Sequence, residues 1–293
     1  MSNYSIQVHS GRYDIYEAAE HSTNSWFRLC PARGGIVISF GSNGKELLYL
    51  DEETLYDPNA NIRGGIPVLF PISGQLAGSA YEWKGTSYTM KNHGLARTAS
   101  WTVAETDTSD GAAITLSLSS DESMLSSFPF PFELRFTYRL KEGRLTIEQQ
   151  YWNRSEADAM PMYPGFHPYF LADRVDVAYA TDASTYYDYN DGSIKPYRGE
   201  ILPMSDKVES VVFLDAVRGD IAFSPNPEYT VRLTYDELFR YVVLWGVKGK
   251  PFLCVEPWMA RTDELNRKEE LVYVQPGEAV RTFMTIDVDI RNS

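Results

Sequence analysis

Four separated stretches of this 293-residue sequence collect residue types that can move protons and grip oxygen atoms. They are Asn61-Ile62-Arg63-Gly64-Gly65-Ile66-Pro67, Asn92-His93-Gly94-Leu95-Ala96-Arg97, Gly165-Phe166-His167-Pro168-Tyr169-Phe170 and Val255-Glu256-Pro257-Trp258. Each sets a charged or titratable side chain beside Gly, Pro or an aromatic ring, the composition expected where a strand ends in a fixed loop. Brought together, they would supply two guanidiniums, two of the chain's four imidazoles and one carboxylate. That inventory is enough for acid–base chemistry on a polar substrate with no metal and no other cofactor.

His167 carries the clearest local signal. Pro164-Gly165 and Pro168 hold the backbone around it, and Phe166, Tyr169 and Phe170 supply apolar walls. An imidazole in such surroundings can stay neutral or titrate near pH 7, as proton transfer requires. A buried histidine hydrogen-bonded in an aromatic core is the structural alternative. Glu256 closes the apolar run Phe252-Leu253-Cys254-Val255, where a carboxylate is expensive to bury without partners or a task. A salt bridge to Arg63 or Arg97 would also satisfy it, and Trp258 is suited to stacking on a sugar face. Arg63 either aims its fork at substrate oxygens or bridges a carboxylate. His93 and Arg97 share one turn-like segment, with a bend histidine and a paired arginine as the bland reading. His9 and His21 lie in the polar N-terminal region and read as surface residues.

The elements that must position these groups are strands. In Phe132–Leu140 every apolar side chain falls on one face and every polar one on the other, and Leu145–Trp152 continues the pattern after the turn Lys141-Glu142-Gly143-Arg144. Similar alternation marks Ala113–Ser119, Tyr229–Tyr235 and Met284–Ile290, and hairpin signals recur at Ser42-Asn43-Gly44 and Lys84-Gly85. Helical signals are short, at Asp121–Ser126 and at Thr262–Glu270. No internal repeat or low-complexity linker divides the chain. The expectation is an all-β antiparallel sandwich, residues 1–293 forming a single domain.

Composition narrows the function. A net charge of −13 disfavours nucleic acid and anionic membranes, while two local arginines can still hold an anionic small molecule. No apolar run approaches the ~20 residues of a membrane span, and the start lacks the pattern of a secretory signal. The two cysteines, Cys30 and Cys254, read as buried thiols of a reducing compartment, so the cytoplasm is expected. The sequons at Asn3 and Asn153 then mean little. The sequence carries no phosphate loop, no dinucleotide glycine pattern, no serine elbow and no close zinc motif.

The four motifs, in this order and at these separations, resemble the aldose 1-epimerase (galactose mutarotase-like) superfamily, in particular a bacterial branch that includes hexose-6-phosphate mutarotase-like proteins. The resemblance runs from about Gly34 to the C-terminal strands. It implies a large antiparallel β-sandwich with few short helices and a site across one concave sheet. It also implies anomer interconversion of an aldohexose or hexose 6-phosphate by ring opening and reclosure, with a small-molecule sugar or sugar phosphate as partner. Glu256 would then be the general base on the anomeric hydroxyl and His167 the general acid at the ring oxygen. His93 would polarise the ring-oxygen region, and Arg63 and Arg97 would hold hydroxyls or phosphate.

The family usually places a sugar-binding aspartate shortly before an aromatic residue between the His and Glu motifs. Here that region reads Lys207-Val208-Glu209-Ser210-Val211-Val212-Phe213-Leu214-Asp215, with no aspartate before Phe213. Glu209, or Asp215 in a shifted register, would bind the sugar instead. A non-catalytic carbohydrate-binding or sensing protein on the same fold is the alternative function. A sugar lyase lacks sequence support for the long cleft it needs.

Overall fold

Alternation becomes burial in the strand Phe132–Lys141, where Phe132, Leu134, Phe136, Tyr138 and Leu140 are buried and the residues between them are half-exposed. A computed structural model describes residues 2–291 of the chain. One eight-stranded antiparallel sheet runs in the order Tyr179–Ala180, Asp220–Asn226, Tyr229–Tyr235, Ala279–Ile290, Arg144–Asn153, Phe132–Lys141, Ala112–Ser119 and Thr102–Asp107. It contains every strand that the alternation predicts. The last of those, expected over Met284–Ile290, extends back to Ala279 because residues 279–286 register against Trp152–Leu145.

The second large sheet carries the site. Its order is Ser193–Pro196, Thr185–Asp188, Val211–Phe213, Tyr241–Trp245, Phe252–Trp258, Gly165–Phe166 and Val68–Leu69, with Tyr169–Leu171 also paired to Phe252–Trp258. Aromatic rings fill the space between the two sheets. Phe136 meets Phe166 at 6.2 Å between ring centres, Phe132 meets Phe70 at 4.8 Å, and Phe223 meets Phe170 at 5.2 Å. The fold is therefore an all-β antiparallel sandwich, as expected. A five-stranded sheet over Tyr4–Glu46 joins the same core through Phe27 and Tyr138, and the Tyr138 hydroxyl donates to the Gly35 carbonyl at 2.8 Å.

The predicted turns form for a common reason. Asn43-Gly44, Lys84-Gly85 and Glu142-Gly143 all have positive φ at both central positions, matching the right-handed twist of the strands they join. The helix expected at Asp121–Ser126 spans Glu122–Leu125, capped by the Asp121 carboxylate on the Met124 N–H at 2.8 Å. The one expected over Thr262–Glu270 is only Glu264–Arg267. Its leading Asp263 adopts φ 68° and its carboxylate accepts from the Ala77 N–H instead of capping. A third helix, Glu52–Tyr56, was not legible in the pattern, being five residues long with one buried side chain, Leu55.

That third helix helps fix the Arg63 loop. The buried Arg33 guanidinium donates to the carbonyls of Thr54, Leu55, Asp57, Pro58 and Ala60, gathering the chain just before the loop. The Arg63 N–H then donates to the Thr54 hydroxyl at 2.9 Å. Gly65, at φ 64°, lets the loop cross Val37 so closely that a Cβ would stand 2.2 Å from its carbonyl oxygen. Gly65→Ala is therefore expected to cost more than about 1 kcal/mol of stability, since strain and clash add. Urea unfolding monitored by tryptophan fluorescence checks this. An unchanged midpoint would show that the loop can shift at little cost.

Candidate active site

Two-residue periodicity sorts the central strand Phe252–Trp258 into two faces. Leu253 and Val255 join the sandwich core, whereas Cys254, Glu256 and Trp258 point to the other side of the sheet, with every one of these residues buried. Neighbouring strands follow the same rule. Val242 and Leu244 face the core, and Val243 and Trp245 face a cavity of about 350 Å³. That volume lies in the range of small-molecule sites, roughly 300–1,000 Å³. Glu256 does not sit in a loop after a strand, as its Pro257 suggests, but inside the sheet, registered opposite Val243.

The cavity collects Arg63, His93, Arg97, His167 and Glu256 from all four motifs. His167 Nδ1 lies 3.4 Å from Glu256 Oε1, and the side chains are 9% and 1% exposed. The indole N–H of Trp258 donates to the second carboxylate oxygen at 3.2 Å, which turns the first toward His167. Rings hold the imidazole on several sides. Tyr169 stacks on it at 4.7 Å and 8°, while His93 and Trp245 meet it edge-on at 5.5 and 5.8 Å. Such packing fixes one rotamer and preorganises the pair.

His93 is held differently. The Gly74 N–H donates to its Nδ1 at 3.0 Å, so the neutral ring carries its proton on Nε2. Burial, with the Arg97 guanidinium adding to it, pushes its pKa down to about 3. It therefore stays neutral across the physiological range. Its backbone has φ 66°, and the following Gly94 has no room for a Cβ, which would stand 2.2 Å from the Phe70 carbonyl oxygen. Burial also drives His167 well below its ordinary value, with the neighbouring His93 and the Arg97 guanidinium adding to it. Burial drives Glu256 well above its own, against a smaller opposing effect of the Trp258 hydrogen bond and Arg97. A pair displaced in these directions holds one proton between two sites across neutral pH.

Arg97 reaches the cavity from the 3₁₀ turn Ala96–Thr98, one of its nitrogens donating to the Ile62 carbonyl at 3.0 Å. Its Nε is buried with no partner. Arg63 is exposed where it lines the cavity. Of the two carboxylates read as replacing a sugar-binding aspartate, Glu209 lines the cavity and Asp215 does not. The Asp215 carboxylate accepts from the Ser184 hydroxyl at 2.5 Å and from the Ser184 and Thr185 N–H groups at 3.0 Å each, and so closes a loop. Its place in the substrate-binding set is corrected on that geometry. His9 and His21 are exposed, as expected.

Several lining residues escaped the sequence reading. Trp245 could have been found from its phase in Tyr241–Trp245, two residues past Val243 on the same face. Gln75 and Thr262 carry no such signal, because they meet only in the folded chain, where the Gln75 N–H donates to the Thr262 hydroxyl at 3.0 Å. Glu209 is set by Asn190, whose side-chain oxygen accepts from the Val208 and Glu209 N–H groups at 2.9 Å each. Beneath it the buried Asp188 is held by Lys195 and Lys207, which keep its carboxyl well below the usual range despite burial.

A family model described as aldose 1-epimerase matches residues 29–287. The chain is similar to the Slr1438 protein of Synechocystis sp. PCC 6803, with 34% identity, 98% of this chain and 99% of that one covered, and a TM-score of 0.91. It is 25% identical over 276 residues to a Cenchrus ciliaris protein named "Putative glucose-6-phosphate 1-epimerase", covering 85% of this chain and 77% of that one. A "Putative aldose 1-epimerase" from Escherichia coli K12 shares the fold at 17% identity, with a TM-score of 0.70 over 98% of this chain and 100% of that one.

The buried carboxyl makes a prediction that needs no substrate. Folding raises the Glu256 pKa above its unfolded value, so the folded protein keeps a proton that the unfolded chain releases above the ordinary carboxylate range. Stability from the protonated carboxyl is thus present at low pH and lost as pH rises toward the raised folded value. Glutamine, neutral at every pH, has no such loss. The melting temperature of Glu256→Gln relative to the native protein should therefore climb from pH 4 upward, by up to ~1.4 kcal/mol per pH unit in stability. A difference that stays flat with pH in calorimetry would mean the carboxyl is not raised.

Proposed function

The chain belongs to the aldose 1-epimerase family, and from that premise we propose that it is an isomerase interconverting the α and β anomers of an aldohexose or its 6-phosphate. The observation that carries this reading is the enclosed His167–Glu256 pair, 3.4 Å apart on the cavity face of the sheet. Mutarotation needs two proton carriers near one ring bond and no net proton. The reaction starts from the form of the pair in which its one proton has passed from Glu256 to His167. The ionised Glu256 takes the proton of the anomeric hydroxyl, the C1–O5 bond breaks with its electrons going to O5, and His167 delivers its proton there. The open aldehyde rotates about C1–C2. Reclosure on the other face returns both protons, so the pair holds one proton throughout and only its location changes.

The surrounding groups fit subsidiary roles. A neutral His93, with its proton on Nε2, supplies a hydrogen bond to the ring-oxygen region without competing for the transferred proton. Trp245 and Trp258 offer apolar contact to a sugar face, and Glu209 is the carboxylate placed to accept from sugar hydroxyls. Arg63 and Arg97 bear on hydroxyls or phosphate. Two guanidiniums on one cavity favour the 6-phosphate, in accord with the name borne by the Cenchrus ciliaris relative. The shared core of the two large sheets supports reading residues 1–293 as one domain. Among the described residues no helix is long and apolar enough to cross a membrane. The two buried unpaired cysteines support action in the cytoplasm.

Polarimetry tests the reading. The protein should accelerate the decay of optical rotation of freshly dissolved α-glucose or the equilibration of glucose 6-phosphate anomers, with the phosphate preferred. Glu256→Gln and His167→Asn should each lower kcat by about 10²–10⁴-fold, the usual contribution of one acid or base. Full activity in both variants would refute the assigned roles, and sugar binding at the solvent mutarotation rate would establish a binding protein instead. With the native protein, kcat/KM should be bell-shaped in pH, because the pair works only while it holds one proton.

A further inference from the structure

Cys254 takes no part in the reaction above, yet it stands two residues before Glu256 on the same face of the strand. Its Sγ, a ring nitrogen of His167 and a carboxylate oxygen of Glu256 lie within 4.8 Å of one another, and all three residues are buried. His167 Nδ1 has no hydrogen-bond partner, although it is buried. An orphaned lone pair or N–H at such a depth is a cost that a ligand can remove. The sequence offered no hint of this grouping, since His167 and Cys254 are far apart in the chain and meet only where Tyr169 registers against Cys254.

The spacing suits a metal ion. Two ligands each about 2.1 Å from a tetrahedral Zn²⁺ stand about 3.4 Å apart. His167 Nδ1 and Glu256 Oε1 are separated by 3.4 Å. A thiolate beside an imidazole and a carboxylate is a donor set for a borderline cation such as Zn²⁺, whereas Mg²⁺ and Ca²⁺ take oxygens alone. The Trp258 indole already orients the carboxylate from its second oxygen, as an outer partner should. Arg97 opposes a cation here, and burial keeps Cys254 and Glu256 protonated until an ion binds. Binding therefore releases two protons, and the thiolate and carboxylate so formed offset the ion's two positive charges.

We propose that His167, Cys254 and Glu256 form a three-ligand site for Zn²⁺ or another thiophilic divalent cation, with the fourth position open to the cavity. Occupation removes both proton carriers from use and so inhibits the enzyme in competition with sugar. The inhibition rests on the mutarotase reading; the binding does not.

Calorimetric titration of the chelator-treated protein with Zn²⁺ alone tests the site, with Co²⁺ as a spectroscopic probe. One equivalent should bind, and Co²⁺ should show the near-ultraviolet charge-transfer absorption of a thiolate ligand. Cys254→Ala and Cys254→Ser should each weaken Zn²⁺ binding more than about tenfold, the least that loss of even an outer partner costs. Both should keep mutarotase activity and resist Zn²⁺, while Cys30→Ala should behave as the native protein. Absence of stoichiometric binding, or equal affinity in both Cys254 variants, overturns the proposal. Cys254-dependent binding in a protein without turnover would leave the site standing and remove only the mutarotase reading. Turnover untouched by saturating Zn²⁺ would overturn the inhibition.

Discussion

A carboxylate buried in mid-sheet is the constraint around which this molecule is organised. Burying an isolated ion costs several kcal/mol even after relaxation. Glu256 meets that cost with one indole hydrogen bond, a histidine 3.4 Å away and the nearby charge of Arg97. None of these neutralises it fully, so the group is left with a raised proton affinity. The same burial depresses His167. Water exclusion is the main cause of both displacements, with His93 and Arg97 adding to that of His167, and together they favour a protonated carboxyl beside a neutral imidazole.

The frame exists to keep that pair dry and fixed. The sandwich core presses on one side of strand Phe252–Trp258, so its alternate residues have a single side left, the cavity side. Loops with glycines at positive φ bring Arg63 and His93 over that face, at approaches where a Cβ would not fit. Arg33 and Asn190 then hold the segments that carry Arg63 and Glu209, each by binding backbone rather than substrate. Rigidity at the cavity is thus supplied in part by two polar side chains that do not line it, the buried Arg33 and the exposed Asn190.

Much of the fold was legible in the residues, because strand alternation is a local property enforced by the pleat. The five predicted strands all form, and the hairpins form where Gly follows Asn, Lys or Glu at positive φ. The helices were harder, since elements of four or five residues bury too little to leave a period. The candidates Arg63, His93, Arg97, His167 and Glu256 all line the cavity, as do Asn61 and Asn92 from the same motifs, whereas Asp215 was misplaced because a register cannot be read from an irregular stretch.

By itself the sequence determined which residues could be chemical, and the motif resemblance gave the family. Residue type and flanking Gly, Pro and aromatic residues act within a few positions, so they are written in the chain. Tertiary structure alone decided that Glu256 lies inside the sheet, that His93 is kept neutral by burial with its proton set on Nε2 by Gly74, and that Glu209 rather than Asp215 reaches the cavity. It alone brought Cys254 beside the pair. These outcomes depend on strand register, desolvation and contacts between distant segments, none of which is a property of any stretch of sequence taken alone.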